Sequence, residues 1–139
     1  MKPTILFLCL ILTLTSCSSD DNPIQINDPK SLEGSWTMVN IFGGFAGIDD
    51  NYEPGEIIWT FDQEDQMLMV DNSVGTDAPI TSGLNSGTYD YHIETEEEID
   101  YLFIDGYNSG KYSIDSDTLI IDDNPGADGF RYTFEKFSE

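Results

Sequence analysis

Positive charge is scarce in this chain. Its 139 residues carry 5 Lys and Arg against 27 Asp and Glu, a formal net charge of −22. Such a polyanion repels nucleic acid and gains nothing electrostatically from anionic lipid. Cysteine is scarce too: two Cys exclude a disulfide-rich scaffold and a cysteine-based zinc site. One His leaves no histidine pair for a metal. That residue, His92, alternates with Asp90 and Glu94 on what reads as the solvent face of a strand. No Ser lies in a Gly-x-Ser-x-Gly elbow, so a nucleophilic triad lacks its members. With 27 acids, carboxylate pairs arise by chance, and nothing in the sequence marks one as a buried catalytic pair. The chain therefore reads as a binding protein, not an enzyme, with no cofactor.

Apolar residues are plentiful. A hydrophobic content of 39% with 12% aromatics supports a packed core, and the length suits one domain of about 150 residues or fewer. The N-terminus is a separate matter. Lys2 precedes a ten-residue apolar run, 5–14 (ILFLCLILTL). A spanning helix needs about 20 apolar residues, so the run reads as the hydrophobic part of a secretory signal. Leu14-Thr15-Ser16-Cys17 follows. This resembles the lipobox of bacterial lipoproteins, in which the Cys is acylated and becomes the first mature residue. The resemblance implies a signal peptide at 1–16, lipidation of Cys17 and attachment to the membrane through acyl chains, each buried CH₂ contributing about 0.8 kcal/mol. Ser18-Ser19-Asp20-Asp21-Asn22 resembles the acidic segment that sends some lipoproteins to the outer face of the outer membrane; a plain solvated tether is the alternative. Residues 17–31, with Pro23 and Pro29, read as lipidated Cys and flexible acidic tether.

From residue 32 to 139 the apolar residues recur with period two in short runs separated by turn residues. The runs are 35–42, 56–62, 66–70, 88–94, 99–104, 111–114, 118–121 and 130–137. Two longer loops, 43–55 and 71–87, are rich in Gly, Asp, Asn, Ser and Thr. Eight sequential antiparallel strands predict a small all-β up-and-down barrel, which removes exposed edges; a β-sandwich is the alternative.

The first run opens with Gly34-Ser35-Trp36, which resembles the Gly-x-Trp signature of lipocalins. Tyr89–Tyr91, Asp117–Leu119 and Tyr132–Phe134 extend the likeness to the small bacterial lipocalin-like lipoproteins. That resemblance implies a structural Trp36 on the opening strand, with Arg131 on the last strand set against its indole.

The expected inward set includes Ile57, Trp59, Phe61, Tyr89, Tyr91, Tyr101, Phe103, Tyr132 and Phe134. Small barrels either fill with side chains or hold one small ligand. Two functions follow. The barrel binds a small hydrophobic molecule against Trp59, Phe61, Tyr89, Tyr91, Tyr101, Phe103 and Tyr132. Alternatively its core is full and it serves as a cell-surface accessory subunit for a protein or carbohydrate, with Phe45, Tyr52 and Tyr107 offered from loops. The acidic loop 122–129 (DDNPGADG) carries oxygen ligands suited to calcium, but Thr133 stands where an EF-hand needs Glu, and the same residues form turns.

Overall fold

The computed structural model describes residues 31–74 and 83–138. Nine strands follow in order: β1 (Gly34–Gly43), β2 (Ile48–Asn51), β3 (Ile57–Asp62), β4 (Met67–Asn72), β5 (Gly87–Glu96), β6 (Ile99–Ile104), β7 (Tyr107–Asp115), β8 (Thr118–Asp122) and β9 (Phe130–Lys136). A 3₁₀ turn at Pro125–Ala127 precedes β9, and no α-helix lies among the described residues. Sequential strands pair antiparallel, and β9 returns to β1, closing an eight-stranded barrel with β2 as an extra strand. The up-and-down barrel read from the sequence is the fold; the sandwich is not.

Two segments differ from their expected state. The 43–55 loop contains β2, which pairs with residues 40–43 of β1 while β3 pairs with residues 34–37. Since β9 holds the other edge of β1, β2 and β3 share one edge and form a single strand interrupted at 52–56. The interruption is fastened by Gly55 N–H donating to Thr37 Oγ1 at 2.8 Å and Tyr52 N–H to the Val39 carbonyl at 3.1 Å. Residues 107–110, read as a loop, belong to β7, where the register shifts opposite Leu102 and Phe103 in a bulge.

Alternation sets the two faces. In β3, Ile57, Trp59 and Phe61 are buried while their neighbours are more exposed. Trp36 faces Trp59, Phe61 faces Leu68, and Met38 faces Phe134 across paired strands. One end of the barrel, the base, carries the β3–β4, β5–β6 and β7–β8 turns and the entry at Ser31. The other end, the mouth, carries the β1–β2, β6–β7 and β8–β9 connections and Gly83 and Leu84. The base is stoppered. Leu32 is fully buried, and its carbonyl accepts from Trp36 Nε1 at 2.7 Å. The β5–β6 hairpin runs past the base: β4 pairs only with residues 87–90 of β5, and Ile93 is 36% exposed.

Candidate functional site

The base holds the Gly34-x-Trp36 signature. Trp36 is 1% exposed. Lys136, its register partner on β9, places Nζ 4.2 Å from the centre of the indole and donates to the Glu33 carbonyl at 2.5 Å. Burial pulls the Lys136 amine below its ordinary value, opposed by Glu33 and Asp117. Gly34 makes the crossing possible. Its φ is +96°, and a Cβ there would lie 3.2 Å from Lys136 Nζ. The cation over Trp36 is therefore Lys136, not Arg131. Arg131 sits five residues earlier on β9, opposite Asp122 on the outer wall. Its Nη2 and Nε reach Asp122 Oδ2 at 2.7 and 3.0 Å. Burial raises the Asp122 carboxyl, but the Arg131 hydrogen bond and the Asn124 N–H outweigh it and hold the group below its ordinary value.

Above the base, aromatic side chains fill the barrel. The Trp59 ring lies 5.0 Å from Phe134 and 6.2 Å from Phe61, and Phe61 meets Tyr91 edge-on at 5.1 Å. Tyr91 is 5% exposed. Burial first, then the charges of Glu33 and Asp62 and nearby Tyr112, push its hydroxyl up to about 12. Phe61 and Tyr91 thus form a floor, not a lining.

The filling stops at Trp59. Over it lies a cavity of about 270 Å³. Trp59, Leu84, Ile104, Ile121 and Tyr132 supply apolar walls, and Gly83, Asn108, Ser109 and Asp123 complete the lining at the mouth. Trp59 is 3% exposed, and its Nε1 has no hydrogen-bond partner among the described residues. A buried donor left unpaired costs about 1–3 kcal/mol. Burial and the charge of Asp123 raise the Tyr132 hydroxyl. Partial burial and the charge of Asp122 raise the Asp123 carboxyl. The loop that presents Asp123 is fixed by close approach: a Cβ on Gly129 would meet the Asp123 carbonyl oxygen at 1.4 Å.

Of the seven residues expected to line a ligand site, Trp59 and Tyr132 line this cavity and Phe61 and Tyr91 lie beneath it. Tyr89 is half-buried and donates to the Asn85 carbonyl at 2.8 Å. Tyr101 and Phe103 are corrected: they lie on the outer face. In β6 the buried residues are Leu102 and Ile104, and Ile104 pairs with inward Tyr91. Phe103 pairs instead with His92 and stacks on its ring at 4.9 Å. Sequence reading missed Ile104, Ile121, Leu84, Asn108, Ser109 and Asp123. Ile121 was findable from strand parity; Ile104 was not, because both faces of its strand are apolar, and neither were the others.

The acidic loop at the mouth acts as a turn. Asp122 Oδ1 accepts the Asn124 N–H at 3.1 Å, and Asn124 and Asp128 adopt left-handed backbone at φ 54° and 67°. Among the described residues no group of three or more His, Cys, Asp or Glu converges for a metal. Cys17 lies outside the described residues.

No family model, curated protein or solved structure matches the chain. The site stands on its own geometry.

Proposed function

We propose that the protein is an outer-membrane lipoprotein, held by acyl chains on Cys17 and turned to the exterior through segment 18–22. Its barrel binds one small hydrophobic molecule at the mouth and catalyses no reaction. The observation that carries this reading is the space of about 270 Å³ at the mouth, where half-buried Leu84 and Tyr132 border a floor of Trp59, Ile104 and Ile121. The cavity falls just under the usual range for small-molecule pockets, about 300–1,000 Å³, which suits a single-ring compound.

Calorimetric titration of the full chain in detergent with p-cresol tests it. One saturable site per chain is expected. Failure of neutral, cationic and anionic single-ring phenols alike to bind saturably overturns the reading. For the anchor, Cys17→Ala is expected to move the protein out of the membrane fraction; retention there overturns that part.

The outer wall favours a second reading, an accessory subunit. One depression of about 710 Å³ is lined by Ile58, Thr60, Met69 and Phe137. Another of about 690 Å³ is lined by Ile99, Lys111, Ile120 and Arg131. Cross-linking in intact membranes that captures a stoichiometric neighbour through these residues would support it.

A further inference from the structure

The β5–β6 hairpin leaves one strand edge open at the base. β4 pairs with residues 87–90 of β5, and the last backbone bond on that side runs from Tyr91 N–H to the Gln66 carbonyl at 2.9 Å. Alternate residues of an antiparallel strand turn their backbone groups to the same edge. Ile93 and Thr95 therefore aim an N–H and a carbonyl each along the line that β4 has left. Among the described residues no strand pairs with them there. The edge is held in shape. Glu97 and Glu98, at φ 50° and 66°, close a two-residue turn, and Thr95 Oγ1 donates to Asp100 Oδ1 at 2.6 Å. A fixed edge loses little freedom when a strand is added to it. The fold already contains such an arrangement: β2 and β3 share one edge of β1, and a segment collinear with β4 would share that of β5.

The side chains along the edge define what fits. His92, Glu94 and Glu96 stand on its outer face, and Ile93, 36% exposed, on the other. Residues 91–104 hold five acids, Glu94, Glu96, Glu97, Glu98 and Asp100, and no Lys or Arg. Glu94 has His92 Nε2 at 3.3 Å, whereas the carboxylates of Glu96, Glu97 and Glu98 meet no hydrogen bond or ion pair among the described residues. The β3–β4 turn beside Gln66 adds Glu64 and Asp65. The described Lys and Arg lie away from this edge: Lys111 is opposite Tyr101 on the far side of β6, Arg131 is bound to Asp122, and Lys136 covers Trp36. Acids on an open edge oppose a second copy, which would bring the same carboxylates together. They also oppose segment 18–30, whose Asp20, Asp21 and Asp28 outnumber Lys30. The complementary occupant is basic.

We propose that the open β5 edge takes up an extended basic segment of a partner protein as an added strand. Its backbone bonds Ile93 and Thr95, its Lys or Arg side chains meet Glu94 and Glu96, and an apolar residue between them covers Ile93. This makes the accessory-subunit reading specific and rests on it; it is independent of the ligand site at the mouth.

The experiment titrates the full chain in detergent with a seven-residue peptide alternating lysine and valine, and with its counterpart in which proline replaces the central valine. The two carry equal charge, but proline cannot donate to the ladder. The alternating peptide is expected to bind one per chain, about ten-fold or more tightly than the proline peptide, and to slow amide exchange at Ile93 and Thr95 by about ten-fold or more. Glu94→Lys with Glu96→Lys should weaken it about ten-fold or more, whereas Asp71→Lys with Glu135→Lys, the same charge change elsewhere on the barrel, should weaken it by less than about three-fold. Equal binding of the two peptides, unchanged exchange at Ile93 and Thr95, or equal loss in the two double variants overturns the proposal. So does protection of those amides without peptide, which in a dimer marks a second copy and in a monomer marks segment 18–30. Such a result leaves the accessory-subunit reading to the cross-linking of the outer wall and the mouth to the phenol titration.

Discussion

Two tryptophans face one another across β1 and β3, and their surroundings differ in two respects. Both are buried in the hydrophobic core. Trp36 has its N–H on the Leu32 carbonyl and a lysine ammonium over its ring. Trp59 has neither an acceptor nor a cation among the described residues. Equal burial therefore says little about role. What separates a stopper from a candidate ligand wall is whether the polar atom of the side chain is already used.

The largest expected effect belongs to the stopper. Trp36→Ala should cost about 3–5 kcal/mol by denaturant titration; a loss below about 1 kcal/mol would show that the base does not need its plug. A finer cut comes from two matched variants. Trp36→Phe strands the Leu32 carbonyl, whereas Trp59→Phe removes a donor with no partner among the described residues. The first should be the more destabilising by about 1–3 kcal/mol. Equal losses would erase the distinction between the two sites.

A third prediction concerns pH. The folded Tyr91 hydroxyl titrates near 12, above its ordinary 10.0, so folding favours its protonated form. That contribution is complete below about pH 10 and is lost as pH rises towards 12. Thermal stability should fall through that window, with Tyr132 acting in the same direction. Tyr91→Phe should flatten the fall, and an unchanged profile would show that its hydroxyl is not held in the floor. The smallest effect is expected for Lys136→Ala, about 0.5–1 kcal/mol from the lost contact with the Trp36 face. Lys136→Arg should retain most of it, as read from melting temperatures.

Alternation between 35 and 137 was enough to recognise the barrel, because most strands have one clearly apolar face. It failed where both faces are apolar. In residues 99–104, Tyr101 and Phe103 are as greasy as Leu102 and Ile104, so period two cannot say which pair points in; the pairing of Ile104 with Tyr91 decides. Strand β2 was illegible for the opposite reason. Ile48-Asp49-Asp50-Asn51 looks like a turn, and it becomes a strand because Asn40 offers it side-chain hydrogen bonds at 2.9–3.2 Å. The lipocalin resemblance points to Arg131 as the cation on Trp36, but register brings Lys136 opposite that indole. The unmet Trp59 donor is invisible in a sequence, since having no partner is a property of the packed interior.

The chain joins the barrel at its stoppered end: Leu32 closes the base immediately before β1 begins, and β9 finishes beside it at Lys136. Anything that grips the segment ahead of Leu32 therefore holds the drum from below. The opening beside Trp59 sits at the far pole, clear of that handle, where an incoming molecule need not pass the point of attachment.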